Sequence, residues 1–210
     1  MKNIIIVGAG RFARELLCWL EDSLDPASER IAGLLDDTLA PAPMLEDEYR
    51  YPLLGAIAAY SLGPDDVFVL AVGAPAARLA IAEGLAARGA RFHTLIHPSA
   101  IVARTARLGR GAVVCPFALV SAGSRVGDFV TINSYASVGH DAVLGNGCTL
   151  SSHVDLTGAV QLGVAVMVGS GASVLPRVQV GDGATVGAGA VVMRRVAAGA
   201  TVYAPPAKTL

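Results

Sequence analysis

From residue 100 onward, the sequence repeats with a period of six. Stepping by six from Val102 to Val192 meets Val, Leu or Ile at all sixteen positions. A second column, two residues earlier and running from Ala100 to Ala190, contains only Ala, Ser, Cys or Val. Residues two apart in a strand point to the same side, so each unit places one small and one aliphatic side chain inward. The pattern predicts short strands separated by turns around a continuous apolar core.

A glycine recurs with a period of eighteen inside this segment. It stands at Gly109, Gly127, Gly145, Gly163 and Gly181. Three six-residue units therefore form one coil, and glycine suits a corner that crowds the backbone or needs a positive φ. Successive coils pair about 4.8 Å apart, and each coil buries its core only against its neighbours. The sequence predicts a left-handed parallel β-helix of five coils between residues 102 and 192.

The first 96 residues follow a different pattern, in which short apolar runs alternate with helical patterns. The predicted strands cover residues 4–7, 31–35, 67–70 and 91–96, and the predicted helices cover residues 11–21 and 78–88. This alternation predicts a small parallel sheet with helices on its faces, a Rossmann-like α/β domain. Residues 37–51, with Pro41 and Pro43, are predicted to form a surface loop. We expect two domains, the α/β domain over 1–97 and the β-helix with a C-terminal tail over 98–210.

Composition and charge narrow the classes of function. Hydrophobic residues make up 53% of the chain, but runs such as Ile4 to Ala9 are much shorter than a membrane-spanning helix. A strand-like run follows Met1 almost directly, which argues against a signal peptide. The net charge of −1 gives no electrostatic reason to expect nucleic acid or anionic lipid as a partner. We expect a cytoplasmic protein with no membrane or nucleic-acid partner.

The three cysteines, Cys18, Cys115 and Cys148, are typical of a reducing compartment. Their number is odd, and their spacings of 97 and 33 residues fit neither a disulfide framework nor a metal site. All three stand among apolar residues, so we expect them to be small core residues. The sequence implies no metal ion.

Several short motifs outside the inward columns contain polar or glycine residues. They are Ile5-Ile6-Val7-Gly8-Ala9-Gly10, Leu34-Leu35-Asp36-Asp37, Ala71-Val72-Gly73 followed by Arg78, Leu95-Ile96-His97-Pro98-Ser99-Ala100, Ser137-Val138-Gly139-His140-Asp141 and Ala204-Pro205-Pro206-Ala207-Lys208. With these motifs and the repeats, the chain resembles the hexapeptide-repeat acyltransferases, in particular the sialic acid O-acetyltransferase NeuD / PglD family. Members of that family include bacterial nucleotide-sugar N-acetyltransferases. The resemblance covers nearly the whole chain.

His140 is the candidate general base. It follows Val138-Gly139 at a corner, and the adjacent Asp141 can hold one imidazole tautomer and stabilise the imidazolium. From position alone, an exposed corner histidine with an acidic neighbour is the alternative. The resemblance implies the catalytic role, because the histidine of this His-Asp or His-Glu pair is the base in that family. No cysteine adjoins His140 in the sequence, so we expect direct attack rather than an acyl-enzyme.

Three residues are predicted to contact acetyl-CoA. Gly158 lies one coil after His140, where its N–H could stabilise an oxyanion on the thioester carbonyl. The resemblance points to the same glycine, and it implies that backbone amides at Ser170 and Ala188 line the pantetheine arm. Ordinary corner residues are the alternative for all three. Some family members have a second histidine nine residues after the base, where this chain has Thr149.

The acceptor substrate is expected to bind mainly to the first domain. The Gly-Ala-Gly turn opens a helix, whose N–H groups can hold a phosphate, and it also fits a dinucleotide site with Asp36 as the ribose partner. The resemblance implies that Asp36 and Asp37 recognise a nucleotide base and that Asn133 touches the sugar. The complete predicted set is Gly8, Gly10, Arg11, Arg14, Asp36, Asp37, Gly73 and Asn133. The remaining histidines, His93, His97 and His153, are expected to be structural.

We therefore expect an acetyltransferase that moves the acetyl group of acetyl-CoA to the amino group of a nucleotide-linked amino sugar. The resemblance also implies a homotrimer with acyl-transfer sites between its subunits. O-acetylation of a sugar hydroxyl by the same residues is the first alternative. A non-catalytic, trimeric nucleotide-binding scaffold and an NAD-linked enzyme are alternatives of other classes.

Overall fold

The computed structural model of the protein describes residues 1–38 and 51–208. Most of the predicted surface loop, including Pro41, Pro43, Glu46, Asp47 and Glu48, lies outside the described residues. Neither helix in the described part of the chain is long and apolar enough to cross a membrane.

The first part of the chain forms a five-stranded parallel sheet with two helices. Its elements are β1 (Lys2–Val7), α1 (Arg11–Ser23), β2 (Glu29–Leu35), β3 (Leu53–Gly55), β4 (Asp66–Leu70), α2 (Pro75–Ala87) and β5 (Arg91–Phe92). The central strand β1 is apolar on both faces because each helix covers one of them. Ile4 and Ile6 pack with Leu16 of α1, whereas Ile5 packs with Leu85 of α2.

The strand order of this sheet is β3-β2-β1-β4-β5. The chain first adds β2 and β3 on one side of β1 and then crosses to β4 on the other side, so the order reverses at β1. Ligands of open α/β sheets bind at the carboxyl ends of the strands beside such a reversal. Here that place is the crevice between the ends of β1 and β4, which Gly8 and Gly73 border.

The second part of the chain is a parallel β-helix built from two-residue strands. They are β6 (Leu95–Ile96), β7 (Ile101–Val102), β8 (Arg107–Leu108), β9 (Val113–Val114), β10 (Leu119–Val120), β11 (Arg125–Val126), β12 (Thr131–Ile132), β13 (Ser137–Val138), β14 (Val143–Leu144), β15 (Thr149–Leu150), β16 (Asp155–Leu156), β17 (Gln161–Leu162), β18 (Met167–Val168), β19 (Ser173–Val174), β20 (Gln179–Val180), β21 (Thr185–Val186), β22 (Val191–Val192) and β23 (Thr201–Val202).

These strands form three sheets, one on each face of a triangular coil. Face 1 contains six strands from β7 to β22, face 2 contains five from β8 to β20, and face 3 contains seven from β6 to β23. Neighbouring strands pair with partners eighteen residues away, as Val120 does with Val138. Both predicted columns form the apolar core, and only the first members, such as Ala100 and Val102, are partly exposed. The predicted fold class, a Rossmann-like domain followed by a left-handed parallel β-helix, is confirmed.

Two details of the β-helix differ from a uniform repeat. The last coil is two residues shorter, because Val196 bridges to Val180 and Val202 pairs with Val186. The repeating corner glycines are explained by crowding rather than by a positive φ: a Cβ on Gly109 would lie 2.5 Å from the Asp128 backbone nitrogen.

Three predictions about the first part of the chain were incomplete or wrong. The predicted strand 91–96 is two strands, since β5 pairs with β4 whereas β6 pairs with β9 on face 3. The short strand β3 was missed. Cys18 is exposed rather than in the core, because the buried face of α1 consists of Ala13, Leu16, Leu17 and Leu20. Cys115 and Cys148 are buried as expected, and burial raises the pKa of Cys148 to about 11.

The two parts of the chain share their cores along face 3. Leu95, Val113 and Cys115 pack into the apolar cluster that contains the inner face of α1. On the other side of the sheet, Phe129 packs into the cluster beneath α2 and meets the Phe92 ring edge-on, with ring centroids 4.8 Å apart. The α/β domain is therefore held against the β-helix by apolar contacts from both of its layers.

Candidate active site

His140 and Asp141 lie at the corner between faces 1 and 2, directly after β13. The imidazole Nδ1 is 2.9 Å from Asp141 Oδ2. Asp141 has a left-handed φ of 58°, a conformation that aspartate tolerates better than most residues. The side chains are 70% and 69% exposed, so both can be reached by a substrate. A carboxylate at Nδ1 favours the tautomer that carries its proton there, which leaves Nε2 as a proton acceptor.

Gly158 lies one coil beyond His140, and the imidazole ring covers it. A Cβ on Gly158 would lie 2.4 Å from His140 Nε2 and 2.7 Å from Cε1. Its N–H group donates no hydrogen bond within residues 1–38 and 51–208. Ser170 and Ala188 have similarly free N–H groups, so this freedom is a property of the corner turn. What distinguishes Gly158 is that a free backbone donor and the proton-accepting Nε2 lie side by side.

A second glycine next to the His-Asp pair was missed in the sequence. Gly123 lies one coil before Asp141, and a Cβ added there would be 2.5 Å from Asp141 Oδ1. The two side chains of the pair therefore each lie over a glycine, Asp141 over Gly123 and His140 over Gly158. The signal was available, because both glycines are eighteen residues away from the side chain that they accommodate.

Ser170, Ala188 and Asn133 lie at a different corner, between faces 3 and 1. Asn133 is half-buried, and its side-chain amide donates to the Leu150 carbonyl at 2.8 Å. Face 1 separates this corner from the one that carries His140. A single chain therefore brings His140, Asp141 and Gly158 together, but it holds the other predicted contacts on the opposite edge of face 1.

An aromatic stack occupies the same corner as Ser170. The Phe117, Tyr135 and His153 rings follow one another at intervals of one coil, with 5.0 Å between the centroids of each successive pair. The Tyr135 and His153 rings are nearly parallel, with an interplanar angle of 2°. This stacking gives His153 a structural contact at a corner that His140 does not share.

The predicted acceptor residues of the first domain gather at the carboxyl ends of β1, β2 and β4. Asp36 Oδ2 accepts a hydrogen bond of 2.7 Å from the Ala9 N–H and so shapes the Gly8–Gly10 turn. Burial acts to raise the pKa of Asp36, but hydrogen bonds from Thr38 and Ala9 lower it overall, so the carboxylate is charged at neutral pH. Asp37 is exposed, and its Oδ1 accepts from the Ile57 N–H at 2.8 Å.

The remaining acceptor residues surround the same crevice. Arg11 is exposed in the first turn of α1, and Arg14 is half-buried further along that helix. Gly10 caps α1 without a side-chain hydrogen bond, and the first turn of the helix has no acidic residue. Gly73 follows β4, and a Cβ there would meet no atom within 4 Å. The carboxyl edge of the sheet therefore offers open space, the N–H groups at the start of α1 and the exposed guanidinium of Arg11. This combination suits a phosphate group.

Thr149 and two histidines have structural contacts elsewhere. The Thr149 hydroxyl is buried between the two domains, where it accepts from Arg78 and donates to the Gly73 carbonyl. His97 hydrogen-bonds to Ser99 and Asp22, and partial burial of His93 lowers the pKa of its imidazole. In the described parts of the chain, no three His, Cys, Asp or Glu side chains group closely enough to hold a metal ion.

Comparisons with known proteins agree with the fold of both parts of the chain. Residues 3–85 match the PglD N-terminal domain family. The acetyltransferase domain of PglB from Neisseria gonorrhoeae, solved with acetyl coenzyme A, is 32% identical with a TM-score of 0.88, and the match covers 100% of this chain and 99% of that one. PerB from Caulobacter crescentus, solved with CoA and GDP-perosamine, is 29% identical with a TM-score of 0.85, covering 99% and 97% of the two chains.

A curated relative also supports this family. The UDP-N-acetylbacillosamine N-acetyltransferase of Bacillus subtilis is 37% identical over 117 residues, which are 54% of this chain. The match spans about half of that relative, 51% of its length. With the fold, the His-Asp pair and full-length likeness to the PglB domain, these findings establish the family. The chain belongs to the PglD-like family of acetyl-CoA-dependent nucleotide-sugar N-acetyltransferases.

Proposed function

We propose that the protein transfers the acetyl group of acetyl-CoA to the amino group of a nucleotide-linked amino sugar, with His140 as general base. The observation that carries the proposal is that His140 Nε2 lies over Gly158, whose N–H group is free, at an exposed corner. A proton acceptor and a free N–H donor at one point are what an amine attacking a thioester requires. The complexes of the PglB domain with acetyl coenzyme A and of PerB with CoA and GDP-perosamine support the substrate classes.

The proposed reaction is direct transfer in a ternary complex. The acceptor amine attacks the thioester carbonyl carbon, and His140 Nε2 takes the proton that the nitrogen loses. Asp141 holds the ring and stabilises the imidazolium. The Gly158 N–H stabilises the negative charge on the carbonyl oxygen until the C–S bond breaks. The CoA thiolate then leaves and takes the proton from the His140 imidazolium, which returns the base to its starting state.

The nucleotide of the acceptor is proposed to bind in the crevice between the ends of β1 and β4. Its phosphates would lie against the N-terminus of α1 and Arg11, because N–H groups and a cation both favour negative charge there. Asp37 Oδ1 accepts from the Ile57 N–H, and its other carboxylate oxygen would accept hydrogen bonds from the base. Gly73 leaves the crevice open on the β4 side.

We further propose that each complete site forms between two copies of a homotrimer. His140 and Gly158 lie at one corner of face 1, whereas Ser170, Ala188 and Asn133 lie at the other. Three copies arranged around an axis would bring the first corner of one copy to the second corner of the next. The purified protein should sediment with three times the mass of one chain at micromolar concentration, and a monomer would contradict this arrangement.

Gly158→Ala should reduce acetyl transfer while leaving the fold intact. The new Cβ would collide with His140 Nε2 and displace the ring from the thioester, so we expect kcat to fall roughly 100-fold. Gly158→Val should reduce it at least as much. The matched control is Gly84→Ala on the exposed side of α2, where a Cβ meets no atom within 4 Å outside the helix's own backbone. Normal turnover by both Gly158 variants in a steady-state assay would mean that Gly158 is not part of the site.

The remaining alternatives make different products. A panel of nucleotide-linked sugars, with and without an amino group, should be incubated with acetyl-CoA while release of the CoA thiol is followed. We expect rapid release only with amino sugars. Release with hydroxyl-only sugars would favour O-acetylation, and nucleotide binding without release by any member would favour a non-catalytic scaffold.

A further inference from the structure

Arg78 is among the largest side chains that the fold buries completely, with 1% of its surface exposed. It lies in the first turn of α2, at the junction with the β-helix. All of its guanidinium nitrogens donate hydrogen bonds, and every acceptor is an uncharged oxygen rather than a carboxylate. The acceptors are the carbonyls of Val72, Gly73, Phe129, Gly147 and Cys148 and the hydroxyl of Thr149.

These hydrogen bonds join two loops that are distant in the sequence. On one side, Nη1 donates to the carbonyls of Val72 at 2.7 Å and Gly73 at 3.2 Å, in the loop that borders the proposed nucleotide crevice. On the other side, Nη2 donates to Gly147 at 2.8 Å and to Thr149 Oγ1 at 2.8 Å. Burial lowers the pKa of Arg78 to about 10, so the group is still charged at neutral pH and its bonds are charge-assisted.

The β-helix side of this contact belongs to the coil that carries the candidate base. The chain runs from His140 through β14 to Gly147 and then into β15, which is half of one coil. The position of Gly147 along the axis of the β-helix is therefore fixed relative to that of His140. In a trimer with a three-fold axis parallel to the β-helices, the His140 residues of all three copies lie at the same position along that axis.

We propose that Arg78 is a positioning residue that fixes the β4–α2 loop of the nucleotide crevice to the coil that carries His140. Arg78 thereby determines the position of the acceptor amine along the β-helix axis, relative to His140. This inference rests on the proposed function, because it assigns the nucleotide to that crevice. Arg78 itself touches neither the reacting atoms nor the thioester.

The test compares Arg78→Lys with two threonine variants on face 3. Thr149→Val removes one acceptor of Arg78 and the hydrogen bond to Gly73. Thr131→Val is the matched control, since Thr131 lies beside Thr149 on the next strand and its buried hydroxyl has no hydrogen-bond partner in the described structure. We expect Arg78→Lys to lower kcat/KM for the nucleotide-linked amino sugar roughly 10- to 100-fold, Thr149→Val to lower it less, and Thr131→Val to leave it unchanged. The KM for acetyl-CoA should stay the same in all three.

Two readouts separate positioning from a general loss of stability. With the free amino sugar, which has neither nucleoside nor phosphate, Arg78→Lys should match the wild-type rate, because the crevice no longer places the amine. Equal losses with both acceptors, in proportion to the folded fraction, would overturn the proposal.

Hydrogen exchange provides a readout that needs no activity. In Arg78→Lys, protection should fall in residues 71–74 and 147–149 and around Phe129, but not in the coils that Arg78 does not contact, and uniform protection would also overturn the proposal. If the wild type acetylates no sugar, the proposed function fails while the exchange result still decides whether Arg78 fixes the loop.

Discussion

Replacing His140 with alanine should lower kcat for amine acetylation by roughly 10² to 10⁴, the usual effect of removing a general base. The residue lies outside both inward columns and 70% of its side chain is exposed, so trimer formation and thermal stability should be unchanged. The affinity for acetyl-CoA should change little, because backbone amides rather than the imidazole are proposed to hold the pantetheine arm. Steady-state kinetics and a binding titration on the same preparation check both statements.

Two variants make this result specific. Asp141→Asn should cost less than His140→Ala, because it removes only the carboxylate that orients the ring and stabilises its charge. His153→Ala is the comparison variant, because that histidine lies at the corner that a neighbouring copy would bring to the site but its ring is stacked on Tyr135. The limb of the pH–rate profile that reports loss of a proton from the base should be present in His153→Ala and absent from His140→Ala. Full kcat in His140→Ala would remove His140 from the mechanism.

Mixing two inactive variants should restore activity if each site is shared between copies. His140→Ala lacks the base, and Gly73→Phe places a ring in the open nucleotide crevice without a clash at its Cβ. Each variant alone should be nearly inactive with the nucleotide-linked acceptor. When the two are unfolded and refolded together, about a quarter of the sites should combine an intact His140 with an intact crevice from the neighbouring copy.

The same mixture also tests the alternative geometry. If one chain supplied both the base and the crevice, every site in the mixture would contain one defect and activity would stay at the level of the parents. A mixture of His140→Ala with Asp141→Asn is the control, because both changes affect the same corner and cannot complement each other beyond the residual activity of Asp141→Asn. Failure of the first mixture, with trimers of normal mass, would contradict the shared site.

The β-helix could be predicted almost completely because its physical constraint is local and strictly periodic. Every inward position must be apolar, so two columns reveal the strands, and adding eighteen residues to His140 identified the neighbouring Gly158. The prediction lost accuracy where the period ends. Beyond Val192 the coil shortens by two residues, and nothing in that segment indicates which residues continue the ladder.

Contacts between the two domains were beyond what the sequence could indicate. Arg78 was visible as a motif residue, but its partners Gly147 and Thr149 are 69 and 71 residues away. All the hydrogen-bond acceptors of this buried arginine are uncharged oxygens. The sequence therefore contains no acidic partner residue that would indicate where Arg78 binds. The sequence predicts one strand over residues 91–96 for the same reason, since only the pairing partners separate β5 from β6.

The most direct test of the proposed chemistry is to locate the transferred acetyl group. Purified protein should be incubated with acetyl-CoA labelled in the acetyl group and a nucleotide-linked amino sugar, and the product should be fragmented in a mass spectrometer. We predict one labelled acetyl group on the sugar nitrogen, formed by the wild type and strongly reduced with His140→Ala. A label on a hydroxyl oxygen, or equal labelling by the two proteins, would contradict the account.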